Sequence, residues 1–295
     1  MDIKAKIKTE IVLALGYFDS VHFGHRKIIS SAVEYAKNHN YSCMVFTFSN
    51  DLCGFFGEQV GQVYTYIERK EKILSLGVDK VIAFEFNEQF KSLTKIEFLD
   101  LLNEDYDIKK IFCGYDYKFG KNSEGNINTL KEYFGSEKVE VFSKIELKNK
   151  RVSTTIIKEL LLSGNMTEAN YFLVEPFSIT GKIVSGRGEG HIYGFPTANL
   201  MLPASKILPK RGVYATIMII DGKRYRAVTN VGSKPTFNVK EDSIESFLIN
   251  FNDNIYNKEV KLEFYSYLRD TKGFSTPQKL KEQIFLDATK SEELC

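Results

Sequence analysis

Residues 16–25 read Gly-Tyr-Phe-Asp-Ser-Val-His-Phe-Gly-His and directly follow the apolar run 11–15. An apolar run, a glycine and then a helical pattern predict the first strand-to-helix step of a parallel sheet. His22 and His25 are three residues apart, so both can lie on one face where the helix begins. Free N–H groups and the positive end of the helix dipole favour a phosphate there, and Gly24 lets it approach the backbone. This stretch predicts a phosphate site, with a merely packed or solvent-facing histidine pair as the alternative.

The composition of the 295-residue chain excludes several classes of protein. Its 40 basic and 38 acidic residues give a formal net charge of +2, which offers no electrostatic case for binding nucleic acid or an anionic membrane. No apolar stretch approaches the ~20 residues of a membrane span, and the N-terminus lacks the apolar core of a signal peptide. The four cysteines show no metal-binding spacing, and Cys43 and Cys113 lie in apolar runs that predict buried thiols. We therefore expect a soluble, cytoplasmic protein.

The first part of the chain, which contains no proline before Pro176, alternates strand and helix patterns. Three apolar runs are typical of strands buried on both faces: residues 43–46, 81–84 and 111–113. Helix patterns occupy residues 26–37 and 95–102, with Thr94 as the expected cap of the second and with Gly77 and Gly164 as expected C-terminal caps of two further helices. This alternation predicts a doubly wound parallel sheet.

The later part of the chain changes period and reads as strands. Residues 213–219 alternate apolar and other side chains, and Asp221-Gly222 then predicts a hairpin with a type I′ turn. Further strands are expected at 245–251 and 260–268, and one closing helix begins near Thr276-Pro277. The pattern predicts a small antiparallel β-barrel with a C-terminal helix. We place the boundary near residue 175, giving domains 1–175 and 176–295.

Two more segments of the first domain carry polar groups suited to a ligand. Residues 114–120 follow a predicted strand and present Asp116 and Lys118 at the strand end, where open α/β sheets bind ligands. In residues 151–158, Arg151 precedes a row of hydroxyl side chains at a helix start, which predicts an anion site. An ordinary polar turn and plain N-capping are the alternative interpretations.

The second domain contains three features that point to chemistry. In the segment 194–200, Thr197 and Asn199 point the same way along an extended chain and offer oxygen ligands suited to Mg²⁺. The glycines at 181, 186, 188 and 190 predict a flexible loop that wraps a phosphate, the alternative being an ordinary surface loop. Glu245 heads an apolar row on a predicted strand and is a candidate general base, the alternative being a solvent-facing glutamate at a strand edge.

The segments at 16–25, 114–120 and 151–158, in this order and spacing, resemble the adenylyltransferase module of bacterial bifunctional riboflavin kinase/FAD synthetases, which belongs to the His-x-Gly-His nucleotidyltransferases. The resemblance implies that the FMN phosphate attacks the α-phosphate of ATP, releasing pyrophosphate and forming FAD. It assigns catalytic roles to His22, His25 and Arg151, and nucleotide or phosphate contacts to Gly16, Phe18, Asp19, Gly24, Asp116, Ser153, Thr154, Thr155 and Lys158.

The segments at 181–200 and 230–236, the Glu245 strand and Leu268-Arg269 resemble the riboflavin kinase module of the same family, a six-stranded barrel with a C-terminal helix. The resemblance implies transfer of the γ-phosphate of ATP to the ribityl 5′-hydroxyl of riboflavin, with ATP, riboflavin and FMN as small-molecule partners. It assigns Mg²⁺ coordination to Thr197 and Asn199, the role of base to Glu245, nucleotide contacts to Gly181, Gly186, Gly188 and Gly194, and a place near the flavin to Arg269.

One segment and three single residues depart from the family pattern. Ser49–Leu52 stands where a proline-containing segment lies near the flavin, Lys158 and His191 stand where arginine is usual, and Ser20 where glycine is common. We expect a two-step enzyme that converts riboflavin to FMN and FMN to FAD. The alternatives are a chain with only one active module and a catalytically inactive flavin-binding or regulatory protein. The sequence does not specify the oligomeric state.

Overall fold

The chain forms two compact units, Met1–Thr154 and Thr155–Cys295. The computed structural model describes residues 8–58, 60–147, 149–185, 197–236, 239–251 and 253–294. None of the helices in this described part of the chain is long and apolar enough to cross a membrane.

The first unit is built on a five-stranded parallel sheet of strand order β3-β2-β1-β4-β5. Its strands are Thr9–Leu15 (β1), Ser42–Phe48 (β2), Lys80–Phe84 (β3), Tyr106–Gly114 (β4) and Val139–Phe142 (β5). The central strand β1 is the most buried, because the segment 11–15 lies between β2 and β4 and is at most 1 % exposed. The predicted doubly wound sheet is confirmed.

Within the described residues, six α-helices accompany this sheet, and a two-stranded ribbon follows it. The helices are Phe23–His39 (α1), Leu52–Phe55 (α2), Tyr66–Ser75 (α3), Glu88–Ser92 (α4), Lys95–Asn103 (α5) and Ile127–Phe134 (α6), and the ribbon pairs Glu146–Leu147 (β6) with Lys150–Arg151 (β7). Thr94 caps α5 in a capping box with Glu97, as the sequence predicts.

For one strand of this unit, the predicted burial is wrong. The run 81–84 was expected to be buried on both faces, but all four of its residues are only partly buried. The reason is that β3 pairs only with β2 and forms an edge of the sheet. An apolar run alone does not distinguish a central strand from an edge strand.

Among the residues that the structure describes, the second unit has two helices, a closed six-stranded barrel and a final helix. The helices are Thr154–Ser163 (α7), whose first residue ends the first unit, Met166–Leu173 (α8) and Pro277–Leu294 (α9). The barrel strands are Phe177–Val184 (β8), Thr197–Leu200 (β9), Gly212–Ile220 (β10), Lys223–Thr236 (β11), Val239–Leu248 (β12) and Glu259–Arg269 (β13), in the order β10-β11-β12-β9-β8-β13. The predicted barrel and closing helix are confirmed.

The turn between β10 and β11 also follows the prediction. Asp221 has a φ of +49° and Gly222 a φ of +76°, as the two central positions of a type I′ turn require. The register places Ile220 opposite Lys223, so the hairpin closes over two residues.

The helix α8 packs against β8 and β13 of the barrel. The Nδ2 of Asn170 donates to the carbonyl of Phe264 at 2.8 Å, and its Oδ1 accepts from the amide of Phe177 at 2.8 Å. The compact units therefore divide before α8, between Thr154 and Thr155, whereas the sequence-based boundary near residue 175 falls after it.

Candidate functional site

In the first unit, the two histidines of residues 16–25 lie together at the start of α1. His22 is the N-cap of this helix, and its Nδ1 accepts a hydrogen bond from the amide of His25 at 3.1 Å. The two imidazole rings stack with centroids 3.6 Å apart and planes inclined by 14°. Since Nδ1 of His22 accepts this bond, the neutral ring carries its proton on Nε2, which is the atom left for a ligand.

Both imidazoles are held in the neutral form. Burial lowers the pKa of His22 to about 4. Burial, the neighbouring His22 and the Arg69 guanidinium together hold the pKa of His25 well below its usual range. The Nδ1 atom of His25 is buried and has no hydrogen-bond partner among the described residues. An unsatisfied buried nitrogen beside a second imidazole is the arrangement expected of a site completed by a ligand.

The loop between β1 and α1 has a strained backbone that the surrounding structure fixes. Phe18 and Val21 have φ values of +54° and +41°, which are uncommon for residues with side chains. Asp19 is 2 % exposed, and its Oδ1 accepts from the amide of Val63 at 2.8 Å. Asp19, predicted to contact nucleotide, therefore also anchors this loop.

Two glycines of the same stretch are required by close packing. A side chain at Gly16 would place a Cβ 2.7 Å from the ring of Phe18, and one at Gly24 would lie 3.0 Å from the ring of His22. Both glycines let aromatic rings close over the backbone at the helix start.

A second loop, residues 114–120, begins beside the first at the carboxyl edge of the sheet. The register places Leu15 opposite Cys113, so the loops that follow β1 and β4 start next to each other. Asp116 is exposed in this loop, and the hydroxyl of Tyr115 accepts from Nη2 of Arg151 at 3.3 Å. Arg151 of β7 therefore contacts the loop that carries Asp116.

Thr154, the last residue of the first unit, contacts the loop after β1. The hydroxyls of Ser20 and Thr154 are 2.9 Å apart, and Ser153 directly precedes α7. Ser20, a departure from the family pattern, is fully buried and makes this contact, which a glycine could not. Thr155 is exposed and Lys158 is buried on the same helix, within the second compact unit.

Arg69 of α3 is a residue of this unit that the sequence did not point to. It is fully buried, its guanidinium lies 4.4 Å from the centre of the Tyr17 ring, and Nη2 donates to the carbonyl of Phe48. Its Nε and Nη1 have no hydrogen-bond partner in the described part of the chain. This buried cation is one of the causes that hold His25 neutral.

The segment Ser49–Leu52, which departs from the family pattern, runs into the short helix α2. The Asn50 side chain pairs with Phe86 through two bonds of 2.8 Å, one to its carbonyl and one from its amide. The Phe55 ring packs edge-on against Phe86 with centroids 5.0 Å apart, and Phe56 stays 59 % exposed. The hydrogen bonds of Asn50 and the packing of aromatic rings therefore fix the segment that replaces the proline-containing segment of the family pattern.

In the second unit, a cavity of about 280 Å³ brings three predicted residues together: Thr197 of β9, Glu245 of β12 and Arg269 of β13. Asn199 lies opposite Glu245 in the register between β9 and β12. Three oxygen-bearing side chains on two paired strands are hard ligands of the kind that Mg²⁺ prefers.

Arg269 is held at this cavity by a carboxylate that the sequence did not single out. Its Nη2 and Nε lie 2.7 and 3.0 Å from Oδ2 of Asp287, which is on α9 and is 1 % exposed. The sequence predicted only a closing helix in this region, and no motif in it pointed to this pair.

One glycine prediction in this unit is wrong. Gly181 was expected in a flexible phosphate loop, but it lies within β8, where an added Cβ would be 2.4 Å from the carbonyl oxygen of Met201. Its missing side chain therefore serves strand packing. The remaining glycines of that predicted loop, Gly186, Gly188 and Gly190, lie outside the described residues, as do Gly194 and the departure His191.

Comparisons with known proteins match one family model to each part of the chain. Residues 4–156 match the family model described as FAD synthetase, and residues 173–295 match the model described as riboflavin kinase. The bifunctional riboflavin kinase/FMN adenylyltransferase of Bacillus subtilis (strain 168) is 34 % identical over 283 residues, which are 94 % of this chain and 90 % of that protein. The protein of the same description from Buchnera aphidicola subsp. Schizaphis graminum is 35 % identical over 292 residues, 96 % and 93 % of the two chains.

A solved structure covers nearly the whole fold. A crystal structure described as a macrolide-efflux protein from Streptococcus pneumoniae matches with a TM-score of 0.88 and 30 % identity, covering 97 % of this chain and 95 % of that one. A second chain thus shares this fold over almost its full length.

Proposed function

The chain belongs to the bifunctional riboflavin kinase/FMN adenylyltransferase family, and from that premise we propose which of its residues carry each of the two reactions. Flavins and ATP are the substrates that this membership implies. The barrel unit makes FMN and ADP from riboflavin and ATP. The sheet unit makes FAD and pyrophosphate from FMN and ATP.

In adenylyl transfer, an oxygen of the FMN phosphate attacks the α-phosphorus of ATP while the bond from that phosphorus to the bridging oxygen breaks. Charge grows on the phosphate oxygens, and His22 and His25 donate hydrogen bonds to them at the start of α1. Arg151, Ser153 and Thr154 bind the triphosphate of ATP. The stacked histidine pair with its unsatisfied nitrogen is the observation that carries this assignment.

In phosphoryl transfer, the ribityl 5′-hydroxyl of riboflavin attacks the γ-phosphorus of ATP, and ADP leaves with the electrons of the broken bond. Glu245 accepts the hydroxyl proton. Thr197 and Asn199 would hold Mg²⁺, which would supply positive charge to the ATP phosphates. This assignment is supported by Thr197 and Glu245 lining one cavity and by Asn199 lying opposite Glu245 in the register.

Two single substitutions test whether each unit carries out its own reaction. We expect Glu245→Gln to lower FMN formation from riboflavin by about 10²- to 10⁴-fold, because the amide cannot take the proton, while FAD formation from supplied FMN persists.

We expect His22→Asn to lower FAD formation by about 10²-fold or more while FMN formation persists. Asparagine is itself a good N-cap, so this variant removes the imidazole and keeps the helix start.

Steady-state rates of the two reactions, with flavins separated by chromatography, provide the measurement. Glu259→Gln, at an exposed position of the barrel, is the control and is expected to leave both rates unchanged. A wild-type rate of FMN formation in Glu245→Gln, or of FAD formation in His22→Asn, contradicts the corresponding assignment.

A further inference from the structure

The ion pair at the kinase cavity extends into a chain of four side chains. Asp287 accepts from Nε and Nη2 of Arg269 through both carboxylate oxygens, at 2.7 to 3.2 Å. Gln283, one turn earlier on α9, donates from Nε2 to Oδ1 of Asp287 at 2.9 Å. The Oε1 of the same Gln283 accepts from Nζ of Lys272 at 2.6 Å. Every oxygen of the buried carboxylate is therefore used to fix a neighbour.

The helix that supplies Asp287 is itself fixed on the barrel. It packs against β10, β11 and β13, and Ser291, which is fully buried, donates to the carbonyl of Ala227 at 3.2 Å. A guanidinium held in two places by a buried carboxylate on a packed helix has little freedom to turn.

Arg269 keeps N–H donors that no described residue accepts from. A guanidinium has five N–H groups. Those bound to Asp287 come from Nε and Nη2, and Nη1 donates to the carbonyl of Asp270 at 3.0 Å. Each terminal nitrogen retains a second N–H group, and Arg269 lines the cavity. These donors can meet an acceptor of a bound ligand.

The charges around the cavity cancel. Among its described lining residues, the charged ones are Glu245, Asp287, Arg269 and Lys272, two of each sign. Because Arg269 is paired with Asp287, its free N–H groups can bind an uncharged ligand without a net positive field in the cavity. A phosphate dianion gains little attraction there, because Asp287 already neutralises the charge of Arg269.

We propose that Asp287 is a positioning residue for the kinase reaction, which orients Arg269 toward a neutral acceptor of the flavin and neutralises its charge, so that the cavity favours riboflavin over its phosphorylated product. This inference rests on the proposed function, because it takes the cavity as the site of riboflavin phosphorylation. Asp287 acts through Arg269 and has no chemical step of its own.

The test is the substitution Asp287→Asn in the full chain. Loss of one charged acceptor frees Arg269, so we expect the KM for riboflavin to rise about tenfold with a smaller change in kcat. Arg269 becomes a net cation, so we expect the inhibition constant of FMN against the kinase reaction to fall about tenfold. A role in stability alone would move neither constant in this direction.

Glu263→Gln is the matched control, because Glu263 is also a buried carboxylate of the barrel unit, paired with Arg224 at 2.9 Å, but it does not line the cavity. We expect it to lower the melting temperature and to leave both constants at their wild-type values. Equal constants in Asp287→Asn and Glu263→Gln overturn the proposal.

A second variant covers the case in which Asp287→Asn does not fold. Asp287→Glu keeps the charge and shifts the carboxylate by one methylene, so we expect a raised KM for riboflavin with wild-type inhibition by FMN. An unchanged KM overturns the proposal. Failure of the proposed function is recognised separately, because it would appear as a wild-type protein that does not phosphorylate riboflavin.

Discussion

The Nδ1 atom of His22 closes the first turn of α1, which leaves Nε2 as the nitrogen that can meet a phosphate. One ring thus caps the helix and supplies a donor, and the stack on His25 fixes its plane. The N-terminal N–H groups and two imidazole donors converge because the chain places a histidine at the cap position itself.

The buried neutral histidine predicts a pH dependence of stability. The pKa of His22 is about 4 in the folded chain, against 6.5 for a free histidine, so between these values the unfolded chain binds more protons. The free energy of unfolding therefore rises with pH in this window and falls as pH drops from 7 to 5, by about 2 kcal/mol for this group. Replacing His22 by asparagine removes that contribution.

Urea unfolding followed by circular dichroism at pH 7 and pH 5 measures this effect. His39→Asn, an exposed histidine in the last turn of the same helix, is the control and is expected to keep the wild-type pH response. If His22→Asn and His39→Asn lose equal stability between the two pH values, the burial argument for His22 is wrong.

Single residues differ in how far the sequence predicts them. His22, His25 and Thr94 stand in local patterns whose meaning is set by a few neighbours, and the helix starts confirm their places. Arg69 lies in a run of charged residues typical of a solvated helix face, and only tertiary packing shows that it is fully buried. The same holds for Asp287, whose partner on β13 is distant in sequence.

Elements follow the same division between local and long-range information. The strand–helix alternation and the Asp221-Gly222 turn are local patterns, and both are confirmed. The glycine at 181 was misplaced because a glycine in a glycine-rich stretch gives no sign that a neighbouring strand approaches it closely. Edge position, as in β3, depends on strand order, which no single segment encodes.

The contacts of helix α8 predict where the chain can be cut without loss of the barrel fold. A fragment 155–295 is expected to fold and phosphorylate riboflavin, whereas a fragment 176–295, cut at the sequence-based boundary, is expected to be unstable. The shorter fragment lacks Asn170 and the buried side chains of α8, namely Met166, Ala169, Phe172 and Leu173. Each large apolar side chain contributes about 1.5–3 kcal/mol, so their loss approaches the whole stability of a domain.

Thermal unfolding and kinase activity of the two fragments measure this. The full chain with Asn170→Ala is the milder companion, with an expected loss of about 2 kcal/mol because one buried amide and one buried carbonyl lose their partner. A fragment 176–295 as stable and active as fragment 155–295 contradicts the assignment of α8 to the barrel.

At the scale of the whole molecule, each compact unit holds the residues that we propose for one of the two reactions. The two imidazoles and Arg151 lie in the sheet unit, and Thr197, Glu245 and Arg269 lie in the barrel unit. The two reactions are linked by FMN, which one unit makes and the other consumes. The account therefore requires that one polypeptide uses both the γ- and the α-phosphorus of ATP.

Isotopic labelling of ATP tests that central claim most directly. The pure chain is incubated with riboflavin, Mg²⁺ and ATP labelled with ³²P at the γ- or the α-position, and the flavins are separated by chromatography. We expect the γ-label to appear in FMN and to persist in FAD, because adenylyl transfer keeps the FMN phosphate. We expect the α-label to appear in FAD alone. A γ-label in FMN with no α-label in any flavin would contradict a working adenylyltransferase site, and no label in any flavin would contradict the account as a whole.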